Sequence, residues 1–358
     1  MSRVLVAISG GVDSSVAAAL MQAEGHEVTG VTMKMWAGPN GEAPTSGCCT
    51  VSDTEDARRV AAQLDIPYYV LDYTDRFQSG VIDRFVDDYL HGRTPNPCVE
   101  CNRTVKFHHL LEQADDFDCE VVVTGHYARI RTADGCLQLL RGVDRAKDQS
   151  YVLSMLGQHQ LARTRFPIGE IDKAETRRIA AMLGLRTAGK AESMDICFVA
   201  GGDYRRFLRS VAPESERPGP IVDADGTVLG EHRGVATVTV GQRKGLGVAL
   251  GEPRHVIDVI PETATVVLGR RQDLAVSGVE LEQVTWVDRP LDPGTSIGLQ
   301  YRAHGEAVDA VLTSGGAEFR QPQYGIAPGQ TVAFYDGERV LGSGVISAST
   351  KVTINSDL

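Results

Sequence analysis

No apolar stretch in this 358-residue chain comes near the ~20 residues that span a bilayer; the longest runs, residues 4–8 and 121–123, fall far short. Internal repeats and low-complexity tracts are also lacking, which excludes collagen, coiled coil and wholesale disorder. The opening Met-Ser-Arg leads directly into strand-like residues, without the apolar core and cleavage site of a signal peptide, so a cytoplasmic protein with no membrane partner is expected. Seven cysteines in such a chain are not a disulfide framework; where they cluster, catalysis or metal binding is the better reading. At roughly 100 to 200 residues per domain, the length predicts two or three domains.

The formal charge is -11, from 36 Lys+Arg against 47 Asp+Glu, which argues against nucleic-acid binding over the whole surface. Charge is unevenly spread. Residues 129–190 hold twelve Lys/Arg against six Asp/Glu, enough to steer a polyanion to one face of an acidic body. A solvated helical surface is the plainer alternative.

Strand-like and helix-like patterns alternate from the start: residues 4–8 β, 14–24 helical, 28–33 β. Ser52 and Glu55 have capping-box spacing ahead of Ala57, Val60, Ala61 and Leu64, one buried helical face. A strand at 68–71, a helix at 76–90 with Val81, Ile82, Phe85 and Tyr89 inside, and a strand at 120–124 follow. Such alternation predicts a mostly parallel sheet with ligands at the carboxyl ends of its strands. A hairpin tip at 133–135 and a capped helix at 172–184 carry the first domain to about residue 205. Residues 212–220 read as a linker, and the last 140 residues as mostly β, in short Val/Thr/Ile runs broken by Gly and Pro.

Strand 4–8 runs into Ser9-Gly10-Gly11-Val12-Asp13-Ser14-Ser15 and then into a helix, where a parallel sheet binds phosphate. Glycine allows close approach of backbone to an anion, the first helical N–H groups lack internal partners, and Ser9 and Ser14 add hydroxyls. No Lys follows the glycines, so this is not a Walker P-loop, and the spacing is not the dinucleotide fingerprint. A phosphate would repel Asp13 unless a cation bridged them, which suggests Mg²⁺. The plain alternative is an ordinary N-cap turn.

A C-x-x-C pair, Cys98 and Cys101, follows Thr94-Pro-Asn-Pro97 at the expected start of a helix, a place that favours thiolate. Cys197 is the natural third thiol. The residues leave three readings open: structural zinc, a thiol-disulfide relay, or a ligand set for iron and sulfur. Cys48 and Cys49 could complete a zinc site, though adjacent loop cysteines more often go unligated. Cys119 and Cys136 read as buried small residues on strands.

The string Ser-Gly-Gly-Val-Asp-Ser after an N-terminal strand resembles the signature of the ATP-pyrophosphatase, or PP-loop, superfamily. Gly92-Arg-Thr-Pro-Asn-Pro97 with Cys101-Asn102, Thr124-Gly-His-Tyr127, Lys147-Asp-Gln-Ser-Tyr151, Cys197-Phe198 and Gly241-Gln-Arg-Lys-Gly-Leu246 then occur in the order seen in bacterial tRNA-specific 2-thiouridylases. The likeness runs nearly end to end. It implies an α/β fold: a Rossmann-like parallel-sheet PP-loop domain (1–205), a small central mostly-β domain (206–272) and a C-terminal β-barrel (273–358). It implies ATP-dependent adenylation of the C2 oxygen of the wobble uridine in tRNA, then sulfur transfer from a cysteine persulfide supplied by a persulfide carrier protein or desulfurase.

By the same resemblance, Ala7, Ile8, Ser9, Gly10, Gly11, Val12, Asp13 and Ser14 hold the nucleotide, with Met33 and Gly125 enclosing adenine and ribose. Cys197 carries the persulfide and Cys101 is the second thiol, leaving a Cys101–Cys197 disulfide in the relay version. A [4Fe–4S] cluster on Cys98, Cys101 and Cys197 is the alternative version. Asn96, Pro97 and Cys98 lie beside the target uridine, His126 contacts base or nucleotide, and Lys147, Asp148, Gln149, Gln300, Tyr301 and Gln330 match tRNA-contact positions. The family often has Arg where this chain has Gln300; Arg302 is a candidate to compensate. The competing functions are an amide-forming PP-loop synthetase using ammonia, which has no need of the two cysteines, and a non-catalytic tRNA-binding protein.

Overall fold

The computed structural model describes residues 1–38, 50–191, 196–249 and 251–352. Parallel strands covered on both faces read as unbroken apolar runs, and β1 (Arg3–Ala7) buries Val4, Leu5 and Val6 completely. The chain turns through residues 8–11 into the alanine-rich α1 (Val12–Ala23), returns along β2 (Glu27–Lys34), and passes through α2 (Val51–Gln63) to β3 (Tyr68–Asp72). The capping box of α2 uses Thr50 and Asp53, not Ser52 and Glu55. The Thr50 hydroxyl accepts from the Asp53 N–H at 3.0 Å and the Asp53 carboxylate accepts from the Thr50 N–H at 3.2 Å. Aspartate at the third helical position reaches back as glutamate would, so the helix starts ahead of the expected point.

Next come α3 (Thr74–Phe77), a π-helical turn (Gln78–Ile82) and α4 (Asp83–Leu90), with Val81, Ile82, Phe85 and Tyr89 buried as their spacing predicts. After the loop at 91–96 follow α5 (Pro97–Cys101), a second π-helical turn (Asn102–Lys106), α6 (Phe107–Asp116) and β4 (Val121–Val123). Then come β5 (Ala128–Ala133), β6 (Cys136–Arg141), α7 (Gln158–Ala162), β7 (Thr164–Arg165), α8 (Lys173–Met182) and α9 (Tyr204–Val211). The order β3-β2-β1-β4-β7, parallel throughout, puts the first sheet's switch point between β1 and β4, where their carboxyl ends part.

Strands β8 (Gly219–Asp223), β9 (Val228–His232), β10 (His255–Ile260) and β11 (Thr265–Gly269) form a separate sheet over Ile221, Val256, Val266 and Leu268. The stretch expected as a linker is packed rather than loose: Ser215 is buried and Gly219 already opens β8. Beyond it, β12 (Ala275–Trp286), β13 (Ser296–Gln300), β14 (Val308–Leu312), β15 (Gly316–Tyr324), β16 (Thr331–Asp336) and β17 (Arg339–Lys351) run in the order β12-β15-β14-β13-β16-β17. Pairing of β12 with β17 closes them into a barrel. Among the described residues no helix is long and apolar enough to cross a membrane.

One boundary departs from the reading of the sequence. The β5–β6 hairpin has its turn at Asp134 and Gly135, with positive φ as the sequence suggests, yet β6 pairs with β17 and so extends the barrel sheet. At this seam Arg141 donates to Asp148 at 2.8 Å and to the Gln300 side-chain oxygen at 3.0 Å, over the ring of Tyr335. Ser150 ties Asp148 to the Tyr335 hydroxyl. The pair is enclosed, so removing one partner strands a buried charge. Arg141→Ala should lower stability by about 3–5 kcal/mol in urea unfolding and separate the transitions of the α/β domain and the barrel. A cost below ~1 kcal/mol would show that solvent screens the pair.

Candidate functional site

At the switch point the carboxyl ends of β1, β2 and β4 surround a cavity of about 300 Å³. Ala7, Ile8, Ser9, Gly11, Asp13, Ser14, Met33, Gly125, His126 and Gln149 line it, with Met35 and Lys106. The turn is braced before any ligand arrives. The Ser9 N–H donates to the Ser14 hydroxyl at 3.0 Å, and the Ser15 hydroxyl donates to the Gly11 carbonyl at 2.7 Å. Gly10 and Val12 do not line the cavity: Val12 is buried in the core, and Gly10, at φ 73°, packs against α2. A Cβ on Gly10 would fall 2.2 Å from the Asp53 carbonyl oxygen, and one on Gly125 would fall 2.6 Å from the Ser14 nitrogen. Both glycines are therefore required by chain-to-chain approach before any anion is considered.

The cation beside Asp13 is a side chain. Lys173 of α8 donates to both Asp13 oxygens, at 2.7 and 2.8 Å, and the Tyr127 hydroxyl donates to one of them at 2.9 Å. Burial, foremost, pushes the Tyr127 phenol well above its usual range, so it stays a donor. With both oxygens committed, Asp13 offers no open edge to a metal, and Mg²⁺ held by Asp13 does not fit this arrangement. Lys173, Tyr127 and Met35 were missed in the sequence. Lys173 lies 160 positions from Asp13, beyond any local spacing rule.

The thiols lie behind the cavity's methionine wall. Asn96 caps α5, accepting from the Val99 N–H at 3.2 Å, and Pro97 opens the helix. Cys98 is exposed, whereas Cys101, one turn on, is buried in a cluster of Met35, Tyr73, Phe77, Phe85, Phe198 and Phe207. Cys197 and Met33 pack against the same cluster. Phe198 is the anchor of the Cys197 segment, edge-on to Phe77, Phe85 and Phe207 at centroid distances of 5.7, 5.2 and 5.1 Å. Met33 and Met35 thus face the nucleotide-sized cavity on one side and the cysteine cluster on the other.

A family model described as the tRNA methyl transferase HUP domain matches residues 2–201, a PRC-barrel domain model of that family matches 205–270, and an aminomethyltransferase beta-barrel model matches 276–346. Over 97% of its length the chain is 46% identical to the tRNA-specific 2-thiouridylase MnmA of Roseiflexus sp. (strain RS-1), covering 100% of that protein. It is 48% identical to the same enzyme of Chloroflexus aggregans, covering 97% of this chain and 99% of the relative. The chain belongs to the tRNA-specific 2-thiouridylase family. Among solved structures, a 4-thiouridine synthetase–RNA complex with bound ATP matches 60% of this chain and 51% of its own at 16% identity, TM-score 0.38. NMN synthetase from Francisella tularensis matches 53% and 66% at 15% identity, TM-score 0.33. Likenesses of that size say nothing about function.

Positions matched to this thiouridylase family fall into three groups. Asn96 and Pro97 line a second cavity, of about 430 Å³, between α4 and the barrel, and their loop is clipped to the barrel where the Thr94 N–H donates to the Pro328 carbonyl at 2.7 Å. Asp148 and Gln300 face inward, in the Arg141 seam; Gln149 lines the nucleotide-sized cavity, and Lys147 is half-buried. Tyr301 and Gln330 are half-buried at the barrel: the Tyr301 hydroxyl donates to Gln323 at 3.1 Å, and Gln330 borders a cavity with Arg271, Arg302 and Tyr324. Arg302 is exposed, but its guanidinium donates to the Tyr324 and Gly325 carbonyls and does not replace the missing arginine at 300. The basic stretch 129–190 is largely used internally: Arg129, Arg141, Arg163, Lys173, Arg178 and Lys190 each pair with a carboxylate.

The metal readings resolve on donor geometry. With Cys98 exposed and Cys101 buried, and the sulfurs of Cys98, Cys101 and Cys197 not gathered within 4.8 Å of one another, these thiols do not present one ligand set. Neither a single zinc nor a [4Fe–4S] cluster fits, so no step is routed through either. Cys48 and Cys49 lie outside the described residues. His108, His109 and Glu112 of α6 do come together, but the Arg76 guanidinium bonds both His109 and Glu112. Cys119 is buried just ahead of β4, and Cys136, on β6, is only half-buried.

His126 is the cavity's titratable ring. Its Nδ1 is 2.7 Å from the Thr124 hydroxyl, Phe107 and Phe166 flank it, and burial followed by the charge of Lys106 holds its pKa down to about 3. The unfolded chain takes up this proton near 6.5, so the unfolded state binds more protons below that pH, and His126 costs stability as pH falls from 6.5 toward 3. The ring is expected neutral across roughly pH 5–8, checked by NMR of labelled histidine. A His126 resonance that titrates near 6.5 would contradict this.

Proposed function

We propose that this chain is an ATP-dependent tRNA-uridine 2-sulfurtransferase acting on the wobble position. The observation that carries the reading is the double-sided wall of Met33 and Met35, with a braced glycine turn before it and two cysteines behind it. The full-length relatives named as thiouridylases support the same reaction. ATP occupies the cavity with its phosphates on the turn formed by Ser9, Gly11 and Ser14. Neutral His126 accepts or donates a hydrogen bond there without adding charge.

Each step has an assigned group. Uracil C2 carries a poor leaving oxygen, so that oxygen bonds to the α-phosphorus of ATP, the bond to the β-phosphate breaks, and pyrophosphate departs with the electron pair. The outer sulfur of a Cys197 persulfide then attacks C2, and AMP leaves with the former carbonyl oxygen. Cys101 thiolate attacks the Cys197 sulfur; the S–S bond breaks toward the base, giving the 2-thio group and a Cys101–Cys197 disulfide that a dithiol reductant reopens. That order requires the two thiols to share one water-poor enclosure, which the aromatic cluster provides. The persulfide comes from a sulfur-donating carrier protein or desulfurase. Asn96, Pro97 and Cys98 are placed to flank the incoming base.

Cys101→Ser and Cys197→Ser should each reduce thiolation at least 10²-fold while ATP binding stays within about twofold, a loss of one covalent partner without loss of nucleotide contacts. Mass spectrometry of nucleosides from tRNA incubated with protein, ATP and a persulfide source reads the first quantity, and nucleotide titration the second. Normal thiolation by both variants would remove the sulfur assignment. Pyrophosphate release that ignores tRNA and follows a small carboxylic acid with ammonia would point to amide synthesis instead.

A further inference from the structure

The Lys190 ammonium is coordinated by three acceptors from two places in the fold. It donates to the Gly10 carbonyl of the glycine turn at 2.9 Å, and to Asp53 and Asp56 of α2 at 2.7 Å each. Three donors meeting three acceptors is the full capacity of an ammonium group. Its own carbonyl is held from α8, where the Arg177 guanidinium donates to it at 3.2 Å, so the residue is fixed through both backbone and side chain. It stands seven positions before Cys197. The arm bearing that cysteine is therefore pinned at Lys190 against the glycine turn and at Phe198 in the aromatic cluster.

The contact with Gly10 has a second side. A trans peptide unit carries its C=O and N–H in opposite directions, so the unit whose carbonyl accepts from Lys190 turns the Gly11 N–H away from it. Gly11 lines the nucleotide-sized cavity and Gly10 does not. Hydrogen bonds in series polarise one another: an ammonium on the carbonyl makes the amide a better donor, and an anion on the amide makes the carbonyl a better acceptor. We propose that Lys190 is a positioning residue that couples occupancy of the glycine turn by a nucleotide phosphate to docking of the Cys197 arm, through the Gly10–Gly11 peptide. The inference rests on the nucleotide reading of that cavity, and it assigns Lys190 no contact with sulfur or with the target base. Coupling of this kind is reciprocal: phosphate tightens the arm, and the docked arm tightens phosphate.

The test uses the full-length protein and needs no thiolation. The alkylation rate of Cys197 by iodoacetamide, followed by peptide mass spectrometry, is measured with and without saturating ATP in wild type, Lys190→Met, Lys190→Arg and Asp56→Asn. ATP should slow alkylation in wild type at least about fivefold, the lower end of ordinary allosteric coupling. Lys190→Met should abolish that difference and weaken ATP binding by a factor no larger than the coupling lost. Lys190→Arg should restore part of it. Asp56→Asn, which keeps the lysine, should fall between wild type and Lys190→Met and serves if the methionine variant does not fold. An undiminished ATP effect in Lys190→Met, or in Asp56→Asn where that variant stands in, overturns the proposal. Wild-type protein that binds ATP with no change at Cys197 also overturns it. Wild-type protein that binds no ATP overturns the nucleotide reading itself.

Discussion

Everything at this site follows from how tightly the chain folds over the β1–α1 turn. On one side Gly10 meets the backbone of Asp53, on the other Gly125 meets the backbone of Ser14, and neither contact leaves room for a side-chain carbon. Backbone packed on backbone fixes the N-terminal end of α1 far more firmly than a loop in solvent could be fixed. An anion-binding turn gains from such rigidity because its N–H groups need no reorganisation when the ligand arrives. The serines contribute inside the turn, and the Asp13–Lys173–Tyr127 cluster ties the first turn of α1 to α8.

The sequence carried the α/β alternation, the position of the glycine turn and the buried face of residues 81–89, because each is a local pattern set by helical or strand period. It also carried the hairpin at 133–135, since Asp-Gly in a two-residue turn accepts positive φ. It did not carry which sheet that hairpin joins, because β6 finds its partner about two hundred residues away in β17. The same limit hid Lys173 and Lys190. Each is one cation in a basic stretch, and only the fold shows that its carboxylate partners come from other elements. A positive segment of sequence was read as a surface for a polyanion, and much of it instead neutralises the protein's own carboxylates.

Asp148 and Gln300 show how a motif match and a side chain's physical task can diverge. Both match positions where the family meets tRNA, and both are turned into the seam beneath Arg141. Glutamine at 300 accepts a hydrogen bond from that guanidinium; arginine there would set two cations together over one tyrosine ring. The seam also fixes the barrel relative to the α/β domain, as does the clip between the Thr94 loop and the Pro328 loop. A large, flexible nucleic acid is recognised across domains only if their spacing is set beforehand, since every freedom left in the protein is lost on binding. Residues buried at the seam can thus govern recognition without touching the substrate.

The methionine wall is the remaining constraint, and residue type explains it. One face of the wall must suit a polar, nucleotide-sized cavity and the other an aromatic cluster holding cysteines. A branched aliphatic side chain fills one shape well; methionine is unbranched and polarisable, fits irregular gaps on either side, and makes favourable contacts with rings. A lysine or glutamate in its place would draw water toward the thiols, where solvent competes with the base for an activated sulfur. Rings at Phe77, Phe85, Phe198 and Phe207 keep the far side dry by packing edge to face, a geometry that resists sliding. The two chemistries can therefore stay adjacent and remain separate until a substrate reaches both.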